Sequence, residues 1–201
     1  METLDLRKAN KELYTAKEEP VEITVQNATF IAMDGQGEPG GTGYQQAIER
    51  LYGIAYTMKF ALKKAGIIDF KVPNLECLWF GNPHETPIAE WKWRLLIRIP
   101  EAVAEEHLVE AMHQLREKKG IDASAVRRIA WEEGRSLQAL HVGPYDTVTS
   151  TYEKLWKFGV EQGLVPKETG HEVYLNDPRR TAPEKLKTII RLPVEPGPVS
   201  P

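Results

Sequence analysis

The chain has 201 residues, of which 41% are hydrophobic and 27% charged, with a net charge of −3. This fits a soluble globular protein of one domain, or of two fused half-domains sharing a core, and argues against a strongly basic nucleic-acid-binding surface. One cysteine, Cys77, excludes an internal disulfide and points to a cytoplasmic chain. The polar, charged start from Met1 to Pro20 has no secretory-signal pattern, and no apolar run reaches the length of a membrane span.

Residues 1–20 read as an extended or partly helical arm packed on the domain, too short to hold a helix-turn-helix unit. Val21–Val25 alternates and Thr29–Met33 is a short apolar run, which predicts two strands joined near Gln26-Asn27. Asp34–Gly41 is a loop by composition. It lacks the Gly-Lys-Ser/Thr ending and the GxGxxG spacing of phosphate-binding loops. A helix is expected from about Tyr44 to Lys64, because Ile48, Leu51, Tyr52, Ala55, Met58 and Leu62 recur at three- and four-residue steps; Gly66 ends it.

Two strand-like runs follow, Leu75–Phe80 and Trp91–Pro100, separated by a loop through Gly81-Asn82-Pro83. Glu101–Lys119 reads as a second helix that links two halves of the chain. Val126–Glu132 and Leu137–Val142 read as a hairpin turning at Glu133-Gly134. Val148, Tyr152, Leu155, Trp156 and Gly159 mark a helix ending by Gly163, with Trp156 in its core stripe. His171–Leu175 and Leu186–Pro193 are the closing strands, and the tail 196–201 is expected to be disordered.

The chain repeats itself. Ile97-Arg98-Ile99-Pro100 aligns with Ile190-Arg191-Leu192-Pro193, and the same offset sets Trp79 against Glu172. Each half reads strand–strand–helix–strand–strand, an α+β plan with mostly antiparallel sheets, pseudo-twofold symmetry and a cleft between the halves. The divisions are an arm over 1–20, a first repeat over about 21–100, a linking helix over about 101–119 and a second repeat over about 126–195.

Three local patterns in the second half resemble the GyrI-like small-molecule-binding family: His141-Val142-Gly143-Pro144-Tyr145, Glu172–Pro178 and Lys187–Val194. Three in the first half, Met33–Pro39, Leu51–Phe60 and Trp91–Ile97, resemble its stand-alone branch, which has no DNA-binding domain. The resemblance runs from about Asp5 to Val194. It implies a duplicated strand–helix–strand–strand core, like the effector-binding domains of multidrug-responsive transcription regulators. Some members are similar to hydrolases that open the cyclopropane of DNA-alkylating natural products.

The resemblance places Glu172 in the pocket, where a glutamate attracts cationic aromatic ligands. On a strand Glu172 and Tyr174 share a face. A carboxylate in a low-dielectric pocket is costly alone, and a ligand cation offsets that cost. It can also serve as a general base on water. The plain alternative is a solvated glutamate on an edge strand. The candidate ligand-binding set is Glu172, Tyr174, Trp79, Trp91, Trp131, Tyr145, Tyr56, Phe60 and Met33; Glu172 and Tyr174 are also the catalytic candidates if the protein is an enzyme. Aromatics of this kind stack on planar ligands and hold cations over their faces, although tryptophans as readily fill a core.

His84, His107, His113, His141 and His171 show no metal-ligand spacing, so neither metal nor cofactor is expected. His141 reads as a structural residue of its turn and Cys77 as buried. The leading reading is polyspecific binding of amphipathic, often cationic aromatic small molecules. The alternatives are a hydrolase of cyclopropane-bearing alkylators with Glu172 activating water, and a protein-interaction module that inhibits a DNA-processing enzyme. Neither direct DNA binding nor membrane association is expected.

Overall fold

The computed structural model describes residues 2–81 and 85–197. The N-terminal arm folds into β1 (Thr3–Leu4), one helical turn α1 (Leu6–Ala9) capped by the Asp5 carboxylate, and a 3-10 turn at Lys11–Leu13. Then come β2 (Val21–Val25), β3 (Ala28–Gln36), α2 (Thr42–Lys64), β4 (Asp69–Phe70), β5 (Leu75–Phe80), β6 (Lys92–Arg98) and α3 (Glu105–Lys119). The second half supplies β7 (Arg127–Trp131), β8 (Gly134–Val142), α4 (Thr149–Glu161), β9 (Leu164–Pro166), β10 (Thr169–Tyr174) and β11 (Lys187–Pro196).

One open antiparallel sheet runs in the order β2-β8-β11-β10-β5-β6-β3-β7, with β9 pairing to the end of β11; β1 and β4 form a separate parallel pair. Read inward from either edge, the order is the same succession of strands with the halves exchanged. At the centre Leu78 stands opposite His171, two positions that the Ile-Arg-X-Pro alignment makes equivalent, flanked by Trp79 facing Gly170 and Cys77 facing Glu172.

The predicted strands form, but the hairpin expected at Glu133-Gly134 does not, and the two strands joined near Gln26-Asn27 do not pair with each other either. β2 pairs with β8 and β3 with β7, so each half lends its first strand to the other. A hairpin connection joins strands that are already antiparallel neighbours. Here Gln26-Asn27 and Glu132-Glu133 instead carry the chain between opposite ends of the sheet.

α2 buries Ala47, Leu51, Ile54, Ala55, Met58 and Leu62, and packs on β3, β6 and α3. It stops where Gly66 takes φ +70°, with Gly66 N–H bonded to Lys63 O and Ile67 N–H to Leu62 O, the pairing of a glycine-terminated helix. α3 starts at Glu105, four residues later than its sequence pattern implies. Val103 N–H is turned back onto Pro100 O, and His107 Nδ1 accepts the Ala104 N–H to cap the helix. α4 packs on β8, β9 and β11.

α2 and α4 thus each cover their own half of one sheet face, and the central strands β5 and β10 lie between them. The opposite face is covered in its second half by the N-terminal arm. Tyr14, Leu13 and Val25 pack there with Val173 and Ile189, and the Gln138 amide donates to Glu12 O and Thr15 O. The first two residues of the tail expected to be disordered are held in place: Pro196 pairs with Leu164, and Gly197 N–H bonds Gly163 O. Residues 198–201 of that tail, and residues 82–84 of the loop after β5, lie outside the described residues. Among the described residues no helix is long and apolar enough to cross a membrane.

Candidate functional site

Strand alternation decides which side chains of β5 and β10 enter the space between the helices. Cys77 and Trp79 from β5, and Gly170, Glu172 and Tyr174 from β10, face the helices; Glu76, Leu78, His171 and Val173 face the other way. The resulting cleft holds about 2510 Å³ and is lined by α2, α4, the central strands and the segment Leu175–Arg179. Typical sites for one drug-sized molecule hold roughly 300–1,000 Å³, so this cleft has room for ligands of different sizes.

Glu172 lies on its floor and is 6% exposed. The Tyr174 phenol donates to its Oε2 at 2.8 Å, and the Tyr152 phenol, from the first turn of α4, donates to Oε1 at 3.2 Å. Burial pushes the Glu172 carboxyl above its ordinary value; Tyr174, Tyr152 and the Trp79 side chain pull it partway back. Burial and the neighbouring Glu172 charge push both phenols well above the usual tyrosine range, so they remain protonated donors. Gly170 makes this geometry possible, because a Cβ there would stand 2.5 Å from the Tyr152 hydroxyl oxygen.

The aromatic wall stands beside the carboxylate. Tyr44, in the first turn of α2, stacks on Trp79 with ring centres 5.8 Å apart and planes 5° from parallel. Its hydroxyl lies 3.1 Å from that of Tyr174. Trp91 meets Trp79 edge-on at 5.9 Å and donates its ring N–H to Thr86 O. Tyr145 packs edge-on against Tyr174 at 5.4 Å, and its phenol is pushed up to about 12 by burial and by the charges of Glu172 and Asp177. Along α2, Tyr52, Tyr56 and Phe60 continue outward as near-parallel rings 6.2 and 6.3 Å apart, with Tyr56 and Phe60 exposed.

Of the residues singled out in the sequence, Glu172, Tyr174, Trp79, Trp91, Tyr145, Tyr56 and Phe60 line this cleft. Met33 and Trp131 do not. Met33 packs into the core under α2. Trp131 lies on the opposite sheet face, with Phe30 and Leu78, edge-on to His171 at 5.3 Å. Trp156, read as core, is instead 47% exposed on the cleft wall.

Tyr44 and Tyr152 were not singled out. Their only sequence signal is that each opens a helix leading away from a strand of the repeat. His141 sets Nδ1 2.9 Å from Thr151 Oγ1 and Nε2 3.1 Å from Thr147 Oγ1, bracing the turn before α4. Cys77 is fully buried. Among the described residues no cluster of His, Cys, Asp and Glu could hold a metal ion.

Behind the same strands lies a second buried set that sequence reasoning did not separate from the first. His171 places Nε2 2.9 Å from Glu76 and Nδ1 2.9 Å from Glu133. Arg191 donates to Gln138 at 2.8 Å and to Leu13 O, and Tyr14 donates to Glu76 at 2.8 Å.

Residues 18–195 match the GyrI-like small molecule binding domain. No curated protein matches the chain. The crystal structure of a hydrolase from Listeria innocua is 37% identical, covers 96% of this chain and 100% of its own, and superposes with a TM-score of 0.87. That of an uncharacterized conserved protein from the same organism is 38% identical over the same shares, with a TM-score of 0.91. The EcmrR C-terminal domain shares the fold at 13% identity and a TM-score of 0.57, over 89% of this chain and 98% of that domain.

Proposed function

From the premise that this chain belongs to the GyrI-like small-molecule-binding family, we propose that its cleft binds amphipathic aromatic compounds, cations above all, without demanding one shape. The observation that carries this reading is the company Glu172 keeps. Its partners are two phenols and the Trp79 side chain, neutral groups that stabilise a carboxylate without neutralising it. A buried charge left so is costly, and an incoming cation removes the cost.

Trp79, Trp91, Tyr145 and the outer ladder on α2 supply faces and edges for planar rings and for cation–π contact. Such contacts need little fixed hydrogen-bond geometry, which suits a polyspecific site. The test is a titration of a rhodamine-like cationic dye followed by tryptophan fluorescence. Glu172→Gln is expected to weaken the cation about tenfold or more, equivalent to about 1.4 kcal/mol, while a neutral aromatic of similar size changes little. Equal losses for both, or no dye binding to the wild type, would count against it.

A second reading is favoured by the Listeria hydrolase, which matches this chain over nearly its whole length. Here Glu172 takes a proton from water, and the water oxygen bonds to a carbon of a cyclopropane. The ring C–C bond breaks, and the released electron pair passes to a conjugated acceptor that is protonated from Tyr174 or Tyr152. A carboxyl raised by burial is a better base than an exposed one. Mass spectrometry of a cyclopropane-bearing alkylator after incubation should show the water adduct, absent with Glu172→Gln. Product no higher than in buffer alone rejects this reading for that compound.

A further inference from the structure

Tyr44 stands in the cleft wall beside the carboxylate. It is 7% exposed, is stacked on Trp79 and held edge-on by Trp93 at 5.1 Å, and puts its hydroxyl 3.1 Å from Tyr174. The direction of that last bond follows from counting protons. A phenol carries one O–H, and Tyr174 spends its own on Glu172 at 2.8 Å. Tyr174 can meet Tyr44 only as an acceptor, so Tyr44 donates to Tyr174 and Tyr174 donates to Glu172. Tyr152 closes the other carboxylate oxygen separately.

We propose that Tyr44 is a positioning residue of this site: its phenol, by donating to Tyr174, commits the Tyr174 O–H to Glu172 and keeps the carboxylate ready for a cation. Hydrogen bonds in such a chain polarise one another, so the outer donor strengthens the inner one. A proton on Oε2 would require the chain to reverse, with Glu172 donating to Tyr174 and Tyr174 to Tyr44, so the Tyr44 bond disfavours protonation on that oxygen. Tyr44 therefore favours the ionised form through Tyr174.

The other titratable groups around Glu172 are Tyr152 from α4, Tyr145 from the turn before it, Cys77 on β5 and His171 behind the sheet. Of these, the buried Cys77 thiol also lies against both Tyr44 and Tyr174, and it donates to Leu78 O. The inference rests on the reading of Glu172 as the cation-binding carboxylate, but part of its test does not.

In the ligand-free protein, carbon-13 NMR of the glutamate side-chain carboxyls follows the titration of Glu172, with Glu172→Gln identifying its resonance. Tyr44→Phe keeps the ring and its stacking and removes only the hydroxyl. It is expected to raise the Glu172 midpoint by roughly half a pH unit. A midpoint unchanged from the wild type overturns the proposal.

The pH at which cationic-dye affinity falls off should move up by the same amount, with neutral-ring affinity unchanged. Tyr44→Leu, which also removes the stacking on Trp79, should weaken both classes of ligand. If the wild type binds no cationic dye while the NMR midpoint still moves, the functional reading fails and the role of Tyr44 stands. A thermal melt of Tyr44→Phe within a few degrees of the wild type shows that the shift is not a folding defect.

Discussion

His171 and Glu172 are adjacent on β10, both almost wholly buried, and they face opposite sides of one sheet. Behind the sheet, His171 lies between Glu76 and Glu133, Arg191 bonds Gln138 and the arm, and Tyr14 closes Glu76. Two acids meet two bases there. In front, Glu172 meets neutral donors: the Tyr174 and Tyr152 phenols and the Trp79 side chain. Burial of a charge therefore does not by itself mark a site; what distinguishes the two faces is whether the fold itself supplies the opposite charge.

The largest way to break this contrast is to open the rear cluster. Removing one partner of a buried ion pair strands the other, at a cost of about 3–5 kcal/mol. His171→Leu is therefore expected to lower unfolding free energy in urea by that order. Because the arm is bonded to the same cluster, it should also be released to protease. A loss below about 1 kcal/mol would mean that the cluster contributes no more than an exposed ion pair does.

The same cluster fixes a pH dependence. Burial alone would lower the His171 pKa, but Glu133 and Glu76 outweigh it and raise it from 6.5 to about 9. A raised folded-state pKa means that the stabilisation is complete below about 6.5 and fades as pH climbs through about 9. Stability should drop across that window by an amount on the order of 3 kcal/mol. His171→Leu should flatten that slope, and an unchanged slope would assign the dependence to another group.

In front, the expected changes in stability are smaller. Gly170→Ala forces Tyr152 off Glu172, because the added Cβ would stand 2.5 Å from its hydroxyl oxygen. Overpacking of this kind costs about 1–3 kcal/mol, and cation affinity should fall with it. A melt and a dye titration indistinguishable from wild type would show that the ring moves aside freely.

Smallest is the stability effect of Glu172→Gln. The Glu172 carboxyl is raised by burial, so folding favours its neutral form: that contribution is present below the ordinary carboxyl range and is lost as pH rises through the folded value. At neutral pH the glutamine mimics the neutral form. It should match the wild type or exceed it by up to about 1 kcal/mol, the sign expected where function is kept at some cost in stability. Clear destabilisation would show that the ionised carboxylate holds the fold together, as the rear cluster does.

Much of this architecture is written locally. The four-residue recurrence from Ile48 to Leu62 marks α2, and the Ile-Arg-X-Pro endings mark β6 and β11 as counterparts. Alternation alone puts Glu172 and Tyr174 on one face. Non-local choices are not written there. Nothing in Val21–Val25 says that its neighbour is β8 rather than β3, because both pairings bury the same alternate residues.

Trp131 follows from that exchange: its strand pairs with β3 at the far edge, which turns its ring behind the sheet. Met33 is on the helix side, but under α2 rather than beside it. Tyr44 and Tyr152 become visible only when the first turns of two helices are seen to converge on one strand. Trp156 fits the apolar stripe of its helix, yet the face it occupies borders a gap, because α2 and α4 each cover their own half of the sheet.

The most direct measurement of the central claim is the proton count of binding. Calorimetric titration near the Glu172 midpoint found by NMR, in two buffers of different ionisation enthalpy, reads the protons exchanged as each ligand binds. If Glu172 is the carboxylate that receives the cation, a cationic dye drives a proton off the wild type, a neutral ring of similar size does not, and Glu172→Gln releases none with either. Equal proton release for cation and neutral ligand, or release that persists in Glu172→Gln, would contradict the account.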